Sequence, residues 1–252
     1  MNNQFKNSII KATRPGIIDV WNAFMVEGAD FTQNDHDIPF SPTTATKLPT
    51  AIIDWVEARQ IYKAAIASGN KNFHYDAFVC FYVDDYKFDR PNAEIGTGDN
   101  IWTDYKYILK VLRHFEGAIT PDFSICQDFP EPVKIYNIYR MRAYGYWLGK
   151  QGIAVINNCR WGTLETFDYV WDGLPSDDIL CIGTVGGSPR KLIDRTRFED
   201  GLKETVLRKS PVILLTYGSA NYPCFETLRE KGIEIKSYPS RTARVFEKGA
   251  SV

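Results

Sequence analysis

The sequence predicts an α/β fold built on one parallel sheet. The simplest form is a parallel β/α barrel, regular or irregular, with a doubly wound open parallel sheet as the alternative. Three observations predict it. Short apolar runs recur between residues 48 and 240, stretches of helical spacing separate them, and the runs end in polar, loop-forming tips. Apolar strands that alternate with amphipathic helices are what a parallel sheet needs, because its crossovers cover the faces of its strands.

In chain order, residues 1–47 carry Pro15, Pro39 and Pro42 and the turn-prone Asn34-Asp35-His36-Asp37, so they read as an irregular N-terminal segment. Within it, Ile17-Ile18-Asp19-Val20-Trp21 fits a strand or a short helix equally well. A single α/β domain is expected over 48–240, followed by a C-terminal tail at 241–252. Ala51-Ile52-Ile53 leads into a helical stretch at 57–68 that Gly69 can end. Residues 76–83 give the clearest strand, since Ala77-Phe78-Val79-Cys80-Phe81-Tyr82-Val83 is almost continuously apolar. The Pro- and Gly-containing stretch 89–100 reads as an exposed loop, and 101–115 as a helix with Ile101, Tyr105, Ile108, Leu109 and Leu112 on one face. Strands near Ile119, Val155, Leu180, Leu214 and Ile235 then alternate with helical segments at 132–150, 163–170, 197–208 and 222–231. With the two early candidates this makes about seven or eight strands, a number that favours the barrel.

Composition narrows the function classes. A net charge of −1 supplies no field to draw the chain to duplex nucleic acid or to an anionic membrane. The five cysteines are scattered and show no Cys-x-x-Cys spacing, which suits reduced thiols in a cytosolic protein and gives no zinc site. No apolar stretch reaches membrane-span length, and the N-terminus has no secretory core. A soluble, cytoplasmic protein with no membrane partner is therefore expected. Most of the aromatic residues, 14% of the chain, are expected in the core.

In a parallel sheet the polar tips share one rim, where α/β proteins build their sites. Asp122, in Thr120-Pro121-Asp122-Phe123-Ser124, is the leading catalytic candidate, with Asp128 and Asp85 nearby in sequence or on a neighbouring strand. A carboxylate there can act as base, nucleophile or metal ligand, and with the neighbouring acids as an acid pair or a hard-cation site for magnesium, or it can simply cap a turn or pair with an arginine. Asp84 and Asp85 should point opposite ways if the strand continues through them, so one at most faces the site. No metal site is assigned. Asn137 and Arg140 lie on a helical stripe with Tyr136, Tyr139 and Tyr144, which suits an anion or a stacked base as well as an aromatic core face. Asn157, Asn158, Arg160 and Trp161 gather amides, a cation and an indole at one tip. Thr184, Gly186 and Gly187 form a glycine-rich turn that can approach phosphate, and Tyr217 and Ser219 end the next strand. Ser219 reads mainly as a helix cap. There is no P-loop, no dinucleotide fingerprint and no setting for a Ser-His-Asp triad.

These residues suit a small phosphorylated, nucleotide-like ligand. The chain would either act on it, as a hydrolase or glycosylase-like enzyme using Asp122, or bind it without chemistry. Single-stranded nucleic acid and a protein partner are the other occupants considered. No cofactor and no oligomeric state is indicated.

Several motifs together resemble a known but uncharacterised family, domain of unknown function 4417. They are Val83-Asp84-Asp85-Tyr86-Lys87-Phe88, Thr120-Pro121-Asp122-Phe123-Ser124, Tyr136-Asn137-Ile138-Tyr139-Arg140, Asn158-Cys159-Arg160-Trp161-Gly162, Gly173-Leu174-Pro175, Ile182-Gly183-Thr184 and Tyr217-Gly218-Ser219. They span roughly residues 48 to 240. The stretch from Asn92 to Asp99 is longer than the family pattern, consistent with a surface loop. The resemblance implies a setting in bacteria, phages or other mobile elements, and it supplies no reaction.

Overall fold

A computed structural model describes residues 5–7, 13–185 and 192–249. β1 (Phe5–Asn7) and β2 (Asp30–Thr32) form an antiparallel ribbon. The remaining strands make one seven-stranded parallel sheet: β3 (Ile52–Asp54), β4 (Tyr75–Cys80), β5 (Phe115–Ile119), β6 (Val155–Asn158), β7 (Ile179–Gly183), β8 (Ile213–Tyr217) and β9 (Glu234–Tyr238). Around it lie α1 (Trp55–Ala67), α2 (Tyr105–Leu112), α3 (Glu131–Lys150), α4 (Leu192–Lys209), α5 (Pro223–Glu230) and α6 (Arg241–Gly249).

Spatial order in the sheet is chain order throughout. A doubly wound sheet must reverse its winding at a switch point, and this one never does. Crossovers of one hand therefore keep the helices on one face, and the sheet curls into a half-barrel. Every strand ends toward the same rim.

Alternation along the strands sorts the core. Phe78 and Cys80 of β4 face inward with Ile52, Ile119, Ile156 and Leu215. Ala77 and Val79 face outward with Val155, Leu180 and Leu214, against residues of the helices. Two glycines make room on the inner face for large rings. A Cβ at Gly117 would lie 2.5 Å from the Phe78 ring and from Ala154 O, and one at Gly183 would lie 2.6 Å from the Tyr82 ring.

The edge strands β3 and β9 share no ladder, but side chains bridge them. Tyr238 OH donates to Pro49 O at 2.8 Å, Arg244 Nη1 donates to Ile52 O at 2.9 Å, and Arg244 also pairs with Glu57. The helix α6 that supplies Arg244 occupies most of the tail.

Three regions depart from the sequence reading. Ile17 to Trp21 is neither strand nor helix, so the sheet has seven strands and not eight; Ile17, Ile18 and Val20 are exposed. The helix expected from residue 101 starts at Tyr105, because Asn100 Oδ1 takes the amides of Trp102 and Thr103 and holds a turn there. The helix expected at 163–170 is a five-residue 3-10 turn, Leu164–Asp168. There Thr166 Oγ1 donates to Thr163 O and accepts from Gly162 N, offering the backbone an alternative to helical bonding.

The close approach at Gly117 predicts that Gly117→Val is destabilising by about 1–3 kcal/mol, the usual cost of overpacking. Urea unfolding monitored by circular dichroism measures this, and an unchanged midpoint would contradict the packing described.

Candidate functional site at the strand C-terminal mouth

The tips of β4, β5 and β6 build the site. Tyr82, just beyond β4, forms its floor. Its ring stacks on Tyr217 with centroids 5.7 Å apart, and its hydroxyl donates to Asn158 Oδ1 at 2.9 Å. The Asn158 Nδ2 donates to Asp122 Oδ1 at 2.9 Å and to Pro121 O at 3.2 Å, and that carbonyl, which can only accept, fixes the orientation of the amide. The backbone of Asn158 is pinned as well: its N–H donates to Thr120 Oγ1 at 2.8 Å, and its carbonyl accepts from Arg142 Nη1 at 3.1 Å. Arg142 is fully buried on α3, and its other bonds go to the carbonyls of Val170 and Asp172. Burial pushes its pKa down to about 10.

Arg160 Nη1 donates to Asp122 Oδ2 at 2.5 Å, so both oxygens of Asp122 have a donor. Its Nε is buried without a partner, yet the side chain is 30% exposed. Burial alone would lower the Arg160 pKa, but Asp122 and Asp85 together hold it above the usual value.

Asp85 sits in the turn after β4, half-buried. Ser124 Oγ donates to its Oδ1 at 2.9 Å, and Ser124 N donates to its Oδ2 at 3.3 Å. Burial raises the Asp85 pKa from its ordinary value, against Ser124 and Arg160, which lower it. A closed circuit of hydrogen bonds stands behind this pair. Ser124 O accepts from Asn137 Nδ2 at 2.5 Å, and Asn137 Oδ1 accepts from Arg140 Nη2 at 2.6 Å. Arg140 forks onto both oxygens of Asp89 at 2.7 and 2.8 Å, with its guanidinium 3.8 Å from the Phe123 ring centre. Asp89 N donates back to Asp85 O at 2.6 Å.

The mouth opens as two lobes, of about 380 Å³ and about 700 Å³. Asp122, Cys126, Arg160 and Val185 line both and so form the wall between them. The smaller lobe adds Asn158, Trp161, Arg197 and Phe198. The larger adds Tyr82, Asp84, Asp85, Tyr86, Lys87 and Arg241; Asp84 and Asp85 both line it, against the expectation that one at most would, because β4 ends at Cys80 and the chain turns there. Each is of a size that suits a small molecule.

The structure thus brings Asp85, Asp122, Asn158, Arg160 and Trp161 together at the mouth. Trp161 leans on α4, with its ring 5.4 Å from Phe198 and over Gly201. The remaining sequence candidates lie elsewhere. Asn137 and Arg140 line neither lobe and hold the loops from behind. Asn157 donates from Nδ2 to Ser41 O at 2.8 Å, away from the cavity. Asp128 is exposed and outside both lobes. Thr184 is buried with its N–H on Tyr217 O, and Tyr217 OH accepts from Arg241 N at 3.0 Å. Ser219 is exposed and accepts from Asn221 N within the turn, while the N-cap of α5 is Tyr222, so Ser219 does not cap that helix. Gly186 and Gly187 lie outside the described residues.

Sequence reasoning does not single out Tyr82, Arg197 or Arg241. Tyr82 is hidden in an apolar run. The signal for the two arginines is position: Arg197 belongs to the early turns of the helix after β7, and Arg241 follows the tip of β9. Residues just after a strand tip are those that line such a mouth.

These features define a half-barrel α/β protein with a charged, two-lobed site at the C-terminal ends of its strands. Residues 32–239 match the family described as domain of unknown function (DUF4417), and the chain belongs to it. Among its relatives is the Gene 1 protein of Mycobacterium phage D29, 30% identical over 236 residues, which are 93% of this chain and 77% of the phage protein. The Gene 1 protein of Mycobacterium phage L5 is 29% identical over 212 residues, 84% of this chain and 82% of that protein. No solved structure matches the chain significantly. Among the described residues, no helix is long and apolar enough to cross a membrane.

The buried fork between Arg140 and Asp89, at 10% and 17% side-chain exposure, predicts a structural penalty for breaking it. Arg140→Gln should cost about 3 kcal/mol in urea unfolding, and Arg140→Gln with Asp89→Asn should recover part of that loss. Full stability of the single variant would show that the circuit does not hold the mouth.

Proposed function

We propose that the mouth binds a small phosphorylated, nucleotide-like ligand, and that Asp122 serves hydrolytic or glycosylase-like chemistry on it. The observation that carries this reading is Arg160. It stands in the wall between both lobes with its side chain 30% exposed. A guanidinium so placed suits a phosphate that bridges the lobes, and Arg197 adds a second cation on the smaller side. The Trp161 and Phe198 rings border that lobe and the exposed Tyr86 borders the other, giving flat surfaces for a base or sugar. The balanced net charge argues against an extended nucleic-acid track and for a small ligand. The phage relatives support a role in phages or mobile elements, and the free thiols among the described residues support a cytoplasmic setting. One observation favours binding without chemistry: Asp122 is paired to Arg160 as a structural acid would be.

A thermal-shift panel of nucleotides, sugar phosphates, inorganic phosphate and apolar compounds tests the reading. A true ligand at about one hundred times its Kd should stabilise the fold by about 2.7 kcal/mol, a rise of several degrees in Tm. The shift should come from phosphorylated compounds and should disappear in Arg160→Gln. Stabilisation by apolar compounds alone, by nothing in the panel, or equally in Arg160→Gln would overturn it.

A further inference from the structure

Asp85 and Asp122 reach the same cavity from neighbouring tips, but their partners differ in kind. Asp122 is met by Arg160 Nη1 and Asn158 Nδ2, which are donors only. The Asn158 amide is kept from turning to offer its oxygen by the Pro121 carbonyl, which can only accept and takes a bond from Nδ2. A proton placed on Asp122 would face a donor on either oxygen. Asp85 Oδ1 is met by the Ser124 hydroxyl, which both donates and accepts. That hydroxyl can donate to an ionised Asp85 and accept from a protonated one by rotating its own hydrogen, with no heavy atom displaced. Asn137 pins the Ser124 carbonyl, which keeps the hydroxyl in reach.

From this asymmetry we infer that the mouth has a fixed-charge half, Asp122 with Arg160, and a proton-exchanging half, Asp85 with Ser124. The inference rests on the reading that a ligand occupies the mouth, and it narrows that ligand. An anionic group meets Arg160, and a proton-accepting oxygen or nitrogen lies in the larger lobe beside Asp85, as the leaving atom of a glycosidic or phosphoester bond would. In hydrolysis the proton passes from Asp85 to that leaving atom as its bond breaks, and the Ser124 hydroxyl turns to donate to the carboxylate left behind. Water supplies the oxygen of the new bond, and its released proton restores Asp85. Burial also raises the Asp85 pKa from its ordinary value, the same direction as the geometry. Arg160 after β6 and Asp122 after β5 act on the charge of Asp85, and the other titratable groups of its lobe are Tyr82, Asp84, Tyr86 and Lys87 around its own turn, Cys126 after β5 and Arg241 after β9.

Carboxyl ¹³C NMR of the ligand-free chain across pH, with the Asp85 signal assigned through Asp85→Asn, tests this without any ligand. The Asp85 midpoint should lie above the usual aspartate value. It should rise further in Ser124→Ala, which removes a donor, and stay near the parent in Ser124→Thr, which keeps the hydroxyl. It should fall in Asp122→Asn, which removes a neighbouring negative charge. A midpoint at or below the usual value, or one indifferent to Asp122→Asn, would overturn the division. The outcome is independent of the thermal-shift panel, so failure here and failure of the ligand reading are separately visible.

Discussion

A parallel sheet wound always in one direction sends every strand tip to one rim, and the rest of this structure depends on that constraint. β3 to β9 follow one another in space as they do in sequence, so the tips of β4, β5 and β6 are neighbours. Backbone and side-chain polar groups at those tips must be satisfied or solvated. Much of the chemistry at the mouth follows from how the chain meets that demand. Asn158 uses both ends of its amide, for Tyr82 and Asp122, and its carbonyl anchors a buried guanidinium.

The long helix α3 answers most of the demand from behind. Arg142 holds the carbonyls of Asn158, Val170 and Asp172, tying the tip of β6 to the connection that follows it. Two residues earlier, Arg140 ties the turns after β4 and β5 through Asp89 and Asn137. α3 reaches the sheet closely because residue 145 is glycine: a Cβ there would meet Ser41 Oγ at 2.3 Å and Thr120 Cγ2 at 2.6 Å. A small residue on the helix thus governs how firmly two loops are held. Buried networks of this kind stiffen the segments they join where their members are satisfied.

The fold was legible in the sequence because the alternation of apolar runs and helical stretches is local, and so was the rim. Asp122, Asn158 and Arg160 follow strand tips and lie together at the mouth. Other assignments needed the third dimension. Asn157 and Asn158 look equivalent in sequence, yet strand alternation turns one to Ser41 and the other to the cavity. Asn137 and Arg140 share a helix face as their spacing implies, but only the docking of α3 against the 84–89 turn directs them to Ser124 and Asp89. Tyr82 reads as core, and it is core, with a hydroxyl that bonds the amide of Asn158 beside it. The 163–170 segment has helical composition, but the Thr166 hydroxyl captures backbone groups that a helix would have used.

The proposed ligand would enter at this mouth and at no other surface among the described residues. A crystal structure of the chain soaked with a nucleoside monophosphate tests this most directly. Density is expected across the wall between the lobes, with the phosphate within hydrogen-bonding reach of Arg160 and the ring against Trp161 or Tyr86. Density seated instead in the apolar groove of Leu202, Val206 and Leu228 between α4 and α5, or a mouth left empty at saturating nucleotide, would contradict it.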